Sequence, residues 1–141
     1  MIINENFIFM KYLGIDYGEK RIGIAVSDDG GTMAFPKYVE VAVGPERFNV
    51  VARNLKKIID EGKIGAIIVG LPLGFSMQET ESTKKARNFG EFLKKELNIE
   101  VIFQNEVLST MEVEKSGAAP ENMVDASSAA LILQSFLDNK K

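Results

Sequence analysis

Lys11-Tyr-Leu-Gly-Ile-Asp-Tyr17 and Ile22-Gly-Ile-Ala-Val-Ser-Asp28, with Gly-Glu-Lys-Arg between them, are the stretches that decide how this chain is expected to fold. Both are apolar-rich runs of strand length, so together with the polar turn they predict a β-hairpin. A second turn is expected at Asp28-Asp-Gly-Gly31, because Asp and Gly tolerate the left-handed backbone that tight turns need. The stretch 32–43 predicts a third strand, in which Pro36 indicates a sheet edge or a bulge.

Beyond these strands, helical and strand patterns alternate along the chain. The run 64–69 is almost wholly apolar and predicts a strand covered on both faces, which is expected to stop pairing at Pro72. A shorter strand is expected over 99–103, followed by one or two helical turns over 110–115. Apolar residues recur at helical spacing in three further stretches: Phe48, Val51, Leu55, Ile58 and Ile59; Ala86, Phe89, Leu93 and Leu97; Ala126, Ala129, Ala130, Leu133 and Leu137.

This order of elements predicts an α/β protein. Three antiparallel strands come first, and then helix, strand, helix, strand and helix. Such an order implies one mixed five-stranded sheet with helices on both faces. The length of 141 residues is that of a single domain, 1–141.

Composition restricts the chemistry available to this chain, which has no Cys and no His. Without Cys there is neither a disulfide nor a thiolate nucleophile. Without His as well, the usual structural zinc sites and the Ser-His and Cys-His catalytic arrangements are excluded. A bound metal would therefore have oxygen ligands, which favours magnesium, manganese or calcium.

Charge and hydropathy bound the partners. The net charge of −3 gives no support to a broad basic surface for nucleic acid, although it does not exclude a local basic patch. No apolar run approaches the length of a membrane span, so no membrane partner is expected. The first ten residues have neither a positive n-region nor a small-residue cleavage site. A cytoplasmic protein is the resulting expectation.

Three carboxylates stand out by position. Asp16 lies inside the first predicted strand, Glu106 follows the last one, and Asp125 is at the start of the final helix. Taken singly, each is more often structural, as a turn residue, a loop acid or a helix cap. Strand ends and helix starts can converge at the carboxyl edge of a sheet, however, and converging acids need a cation to neutralise them. Together they predict a Mg²⁺ or Mn²⁺ site for a phosphate substrate.

Four segments in order resemble one known family. They are Met10–Asp28 as a whole, Gly70-Leu-Pro-Leu73, Glu106-Val-Leu-Ser-Thr110 and Val124-Asp-Ala-Ser-Ser-Ala-Ala-Leu-Ile-Leu-Gln134. They resemble the motifs of the YqgF family, also described as RuvX-like Holliday junction resolvases or pre-16S rRNA nucleases. The match covers nearly the whole chain from Met10 onward, so residues 1–9 form an N-terminal extension before the usual family start.

The resemblance implies an RNase H-like fold and a metal-dependent phosphodiesterase. On the family pattern, Asp16, Glu106 and Asp125 fall on the catalytic acids. They would hold one or two Mg²⁺ or Mn²⁺ ions for hydrolysis at phosphorus by a two-metal mechanism.

The resemblance also suggests residues that bind substrate. Lys20 and Arg21, in the first hairpin, could contact the nucleic-acid backbone or simply form a solvated turn. Ser109 and Thr110 could bind phosphate or support Glu106, although Thr110 could equally cap a following helix.

The chain departs from the family pattern in three places. It has Asn105-Glu106-Val107 where the family has Asp-Glu-Arg. The loop after Leu73 reads Gly-Phe-Ser-Met-Gln and lacks the family's Asn and Asp-Gly. The stretch 117–123 is short and has no Lys or Arg. Each change removes a group that could contact nucleic acid.

The function expected from the resemblance is maturation of the 5′ end of precursor 16S rRNA in ribosome biogenesis. A Holliday junction resolvase acting on branched DNA is the alternative within the same chemistry, and would call for a homodimer rather than a monomer. Gly14-x-Asp16-x-Gly18 also resembles the first phosphate loop of ATP-binding actin-like proteins, but those pair two copies of this fold. An inactive nucleic-acid-binding module is the remaining alternative.

One basic cluster lies along the second predicted helix. Lys84, Lys85 and Arg87 stand near its start, with Lys94 and Lys95 two to three turns later. Interleaved acids favour a solvated helix face over a nucleic-acid contact.

Overall fold

The computed structural model describes residues 10–107 and 125–140. The elements in these ranges are β1 (Lys11–Tyr17), β2 (Arg21–Ser27), β3 (Ala34–Val41), α1 (Arg47–Gly62), β4 (Ile64–Leu73), α2 (Glu81–Leu97), β5 (Glu100–Val107) and α3 (Ala126–Asn139). The strands form one sheet in the order β3-β2-β1-β4-β5. The first three strands are antiparallel, and β4 and β5 run parallel to β1. The predicted mixed five-stranded sheet is confirmed.

Helices cover both faces of the sheet, as the order of elements predicts. Helices α1 and α2 pack on one face, where Leu13 and Ile15 of β1 join a core with Leu55 and Phe89. Helix α3 packs on the other face, in a smaller core that includes Tyr12. This division follows from the alternation of side chains along a strand.

Glycines on three neighbouring strands let α3 lie close to the sheet. A methyl group at Gly14 would stand 2.7 Å from Leu133 Cβ, and one at Gly70 would stand 2.6 Å from Ile132 Cδ1. At Gly23 the added carbon would overlap the backbone carbonyl of Asp125. Because such contacts are too short for real carbon atoms, the position of α3 requires glycine at 14 and 23, whereas at Gly70 the end of the Ile132 side chain could turn away.

The second turn and the edge strand agree with the prediction. Gly31 takes a φ of 66°, and its N–H donates to the Asp28 carbonyl at 3.1 Å. Strand β3 lies at the edge of the sheet, and its pairing with β2 skips a residue between Tyr38 and Pro36. This irregularity is the bulge that Pro36 indicates.

Two strand boundaries differ from the prediction. Strand β4 continues through Pro72 to Leu73, because β5 pairs with it to the end while the pairing with β1 stops at Val69. Beyond Val69, β4 has a strand on one side only, so a residue without an N–H is tolerated. Strand β5 reaches Val107, so Glu106 lies inside the strand and does not follow it. The helical turns expected over 110–115 lie outside the described residues.

A helix must be both long and apolar to cross a membrane. Within residues 10–107 and 125–140, no helix is long and apolar enough to span one.

The contact at Gly23 predicts a large effect of one methyl group. Gly23→Ala is expected to lower the free energy of unfolding by about 1–3 kcal/mol, because the Asp125 backbone must move to admit the new carbon. Urea denaturation followed by circular dichroism measures the change. Gly30→Ala is the matched control, since a methyl group there meets nothing within 4 Å. Equal stability of the two variants would contradict this account of α3 packing.

Candidate active site

Asp16 lies on the sheet face that α3 covers. It is four residues beyond Tyr12, whose side chain packs in the α3 core, so the two side chains point to the same face. Its partner on β2 is Gly23, and it follows the last pair between β1 and β4, Ile15 with Val69. The carboxyl group is therefore at the carboxyl end of a central strand, where open α/β sheets place their sites.

Asp125 reaches this region from above the sheet. Its backbone rests on Gly23, directly across the strand pair from Asp16. Its side chain caps α3, because carboxylate Oδ1 accepts a hydrogen bond from the Ser128 N–H at 2.8 Å. The cap read from the sequence as an alternative is thus present, and it lies beside Asp16.

Glu106 lies on β5, the edge strand of the sheet on the other side of β4 from Asp16. It pairs with Pro72 of β4, which puts it two strands away from Asp16. Ile102, four residues earlier on β5, packs against the α3 core, so Glu106 points to the same sheet face. All three predicted carboxylates therefore belong to one face and one edge of the sheet.

The electrostatics of Asp16 link the three acids. Burial, together with the negative charges of Asp125 and then Glu106, raises the pKa of the Asp16 carboxyl to about 7. Like charges at short range disfavour ionisation of a carboxyl group, and a bound cation removes that penalty. Asp16 is thus held where its own charge is unfavourable.

The spacing of the acids is wider than a closed ligand shell. Among the residues that the structure describes, no group of three or more acidic side chains is arranged to hold one metal ion. The three carboxylates share a region and an electrostatic field, and their side chains are not drawn together around a common point.

The predicted substrate-binding residues have different outcomes. Lys20 and Arg21 are exposed in the β1–β2 hairpin, just beyond the end of β1 that carries Asp16. The Lys20 carbonyl accepts a hydrogen bond from the Ala42 N–H at 3.2 Å, which ties the turn to the start of the next loop. Ser109 and Thr110 lie outside the described residues.

Three of the five residues of the basic cluster on α2 are engaged in ion pairs. Lys84 pairs with Glu81 at 3.6 Å, Lys85 pairs with Glu19, and Arg87 pairs with Glu79. These side chains are exposed, so each pair contributes little to stability. The arrangement agrees with a solvated helix face.

Two features of the site went unnoticed in the sequence. The backbone of Asp125 packs directly on Gly23. The sequence signal for this contact is a glycine inside a strand, which often marks a close approach of another backbone. Arg47, at the start of α1, donates to the Tyr17 hydroxyl and to the Gly18 carbonyl, and so braces the turn that follows Asp16. No sequence pattern links Arg47 to Tyr17, which lies 30 residues away.

Comparison with known proteins places this chain in a family. A family model described as RuvX, Holliday junction resolvase, matches residues 10–139. A Nitratidesulfovibrio vulgaris protein (strain Miyazaki F), provisionally named pre-16S rRNA nuclease, is 43% identical over 136 residues, 92% of this chain and 94% of its own. A Mycoplasma mobile protein with the same provisional name is 36% identical, over 92% of this chain and 93% of its own.

Solved structures share the fold at low sequence identity. Thermus thermophilus RuvC has a TM-score of 0.55 at 17% identity, over 93% of this chain and 96% of that one. The Fowlpox virus resolvase, solved with Holliday junction DNA, has a TM-score of 0.55 at 14% identity, over 93% and 99%. These resemblances establish the RNase H-like architecture of the sheet and helices.

The sheet order, the acidic edge and these relatives together define a nuclease, a hydrolase of phosphodiester bonds on an RNase H-like fold. Within that class, the chain belongs to the RuvX family.

The raised pKa of Asp16 predicts how stability depends on pH in the presence of a chelator. An Asp carboxyl in the unfolded chain ionises near pH 3.8, and the folded one near 7. Between these values the folded state binds more protons, so stability falls as pH rises and then levels off above 7. Relative to Asp16→Asn, the wild type should lose roughly 2–4 kcal/mol of unfolding free energy between pH 4 and pH 8.

Urea denaturation at several pH values, with chelator, measures this difference. Asp60→Asn on the exposed face of α1 is the control, and its pH profile should run parallel to that of the wild type. A constant difference between wild type and Asp16→Asn from pH 4 to pH 8 would contradict the assignment.

Proposed function

We propose that this nuclease uses Asp16, Glu106 and Asp125 to bind a divalent cation, and that it trims precursor 16S rRNA at its 5′ end during ribosome biogenesis. The observation that carries the proposal is that the Asp16 carboxyl group is buried on one sheet face, where the charges of the other two acids oppose its ionisation. Nothing in the described fold requires a carboxylate there, and its ionisation weakens the fold. A catalytic role accounts for a group kept at that cost.

The donor set fits Mg²⁺ or Mn²⁺. All three side chains offer carboxylate oxygens, and the chain has no His or Cys that would favour zinc. Bound there, the ion would supply Lewis-acid assistance to attack of water at phosphorus and to departure of the leaving oxygen. Because the acids are spaced more widely than a closed shell, we expect ion binding to draw their side chains inward.

Strand pairing positions two of the acids, and a helix cap positions the third. Strand pairing with Gly23 orients Asp16, and strand pairing with Pro72 orients Glu106. Asp125 is oriented by the Ser128 N–H, which holds one of its carboxylate oxygens at the end of α3. Two of the ligands would thus be fixed by the sheet and the third by a helix end.

We extend the proposal to the substrate contacts. Lys20 and Arg21 are exposed beside the strand end that carries Asp16, where a phosphate approaching the acids would pass. Two cations there would offset the repulsion between the acidic site and a polyanion. Ser109 and Thr110 follow β5 directly in the sequence and remain predictions.

The choice of precursor rRNA rests on the relatives, which carry that name at up to 43% identity over nearly the whole chain. The second candidate is resolution of four-way DNA junctions, which the description of the family model favours. It would require two copies of the site in a symmetric dimer.

Removing any one acid should abolish metal-dependent cleavage. Asp16→Asn, Glu106→Gln and Asp125→Asn are each expected to lower kcat by about 100-fold or more, since each removes a negative charge that would hold the divalent cation. Cleavage of a labelled oligonucleotide with Mn²⁺, and with chelator, measures the effect. Mn²⁺ should also raise the melting temperature of the wild type and not of Asp16→Asn.

Asp60→Asn is the control and should match the wild type in both assays. Asp125→Asn has a further use, because Asn also caps helices well and so preserves α3. Full activity in Asp16→Asn, with an unchanged response to Mn²⁺, would refute the proposed site.

The substrate is tested by comparing two nucleic acids under the same conditions. We expect kcat/KM with Mn²⁺ to be higher on precursor 16S rRNA than on a synthetic four-way DNA junction. Sedimentation of the protein with each substrate reports the oligomeric state. Faster cleavage of the junction by a dimer would favour the resolvase instead.

A further inference from the structure

A short turn at the end of β4 presents two apolar side chains to solvent. It covers residues 74–78, and Phe75 is 65% exposed and Met77 56% exposed. The turn itself contains no charged residue. Two exposed apolar side chains on one uncharged turn are available to a binding partner.

The turn is held in one conformation by its own hydrogen bonds. The Gly74 N–H donates to the Gln78 carbonyl at 2.9 Å, and the Met77 N–H donates to the Gly74 carbonyl at 2.9 Å. The Gln78 side-chain oxygen accepts from the Ser76 N–H at 2.8 Å. A ring carried on such a turn loses little freedom when it binds, which favours affinity.

Strand register puts this turn next to the acidic edge. Pro72 pairs with Glu106, and the next pair is Leu73 with Val107, directly before the turn. Val107 is itself 43% exposed, on the sheet face opposite that of Glu106. We call Phe75, Met77 and Val107 the apolar corner.

The apolar corner unites two departures from the family pattern. On the resemblance described above, the related motif has Arg at the position of Val107 and polar residues after Leu73, where this chain has the uncharged turn. These positions are far apart in the sequence and adjacent in the sheet. Glu79, which directly follows the turn, is paired with Arg87. A phosphate contact needs positive charge, whereas the side chains of this corner are apolar. The corner is therefore better suited to a base than to a phosphate.

We propose that Phe75 stacks on an unpaired base of the substrate, next to the phosphodiester bond that is cleaved. This inference rests on the proposed function, because it takes Glu106 and its partners as the reaction centre. Every base has a π-face, so an aromatic ring can hold a single strand without reading its sequence. The substrate class is accordingly a nucleic acid that is single-stranded beside the cleaved bond.

A protein partner fits this corner less well. Three side chains are far too few to bury the about 800 Å² per partner that stable protein interfaces use. A strand already bound at the acids would instead bring its next bases within reach of the corner, so a small surface suffices.

Binding to single-stranded RNA, measured in chelator, tests the stacking without depending on catalysis. The probes are a series of 20-nucleotide RNAs of the same sequence. Each carries the fluorescent base 2-aminopurine at a different single position. Stacking on Phe75 should quench the fluorophore at one or two adjacent positions in the wild-type complex, and Phe75→Ala should restore it. The same substitution should weaken binding roughly 5- to 150-fold, the contribution of one stacked base.

Three further variants sharpen the result. Phe75→Trp should retain quenching and affinity, because it keeps an aromatic face. Phe35→Ala removes another exposed ring, 47% exposed on β3 opposite Val26, and should leave both unchanged. Val107→Arg should steepen the salt dependence of binding by about one unit of slope, since it adds a phosphate contact.

An abasic site and sedimentation complete the test. An abasic nucleotide at the quenched position should weaken wild-type binding as much as Phe75→Ala does, with no further loss when the two are combined. Equal affinity and quenching in wild type and Phe75→Ala would overturn the inference. So would self-association of the wild type that Phe75→Ala abolishes.

The assays separate this inference from the proposed function. If the wild type with Mn²⁺ cleaves RNA and Phe75→Ala leaves KM unchanged, the stacking fails and the nuclease site stands. If the acid variants still cleave RNA while Phe75→Ala loses affinity in chelator, the proposed site fails and the stacking contact stands.

Discussion

The contact between helix α3 and the glycines of the sheet is the constraint on which the site depends. Gly14, Gly23 and Gly70 lie on three neighbouring strands, and a side chain at Gly14 or Gly23 would collide with α3. Their absence of side chains lets the helix start come down onto β2, beside Asp16. A bulkier residue at Gly23 would lift Asp125 away from Asp16. The position of Asp125 beside Asp16 therefore depends on how α3 packs on this face.

The same packing creates the unfavourable environment of Asp16. Burial under α3 and two neighbouring negative charges together raise the pKa of its carboxyl to about 7. An apolar or amide side chain there would stabilise the fold near neutral pH. Active sites commonly retain such groups because their reactivity depends on the arrangement that destabilises them. The larger core on the other face, built from α1 and α2, supplies the stability that this arrangement lacks.

Much of the fold could be predicted from local patterns, since the strands of the first hairpin and the helix stripes obey simple periodicities. Pro72 shows where local rules stop. Its effect on pairing depends on whether β1 lies beside it, which is a property of the sheet and not of the segment. Glu106 was placed after its strand for the same reason, because β5 continues wherever β4 offers it a partner.

The site was less accessible to sequence reasoning than the fold. The three acids were predicted from strand ends and from a resemblance, and the structure brings all three to one sheet face. A glycine inside a strand signals a close approach at Gly23 but not what approaches it, which is a helix that begins more than 100 residues later. The contact of Arg47 with Tyr17 likewise exists only once α1 has packed on the sheet. Contacts between elements distant in the sequence leave no periodic trace.

The three acids also differ in how firmly they are placed. Asp16 and Glu106 are held by strands paired along their length, so their separation is a property of the sheet. Asp125 belongs to a helix end, and its carboxylate is held by one N–H of its own helix. Of the three, it is the one that can move without breaking the sheet. Because the described acids do not form a closed ligand shell, adjustment at the start of α3 is the least costly way to draw them together. The docking of α3 would then decide both the stability of one sheet face and how readily the acids act as a unit.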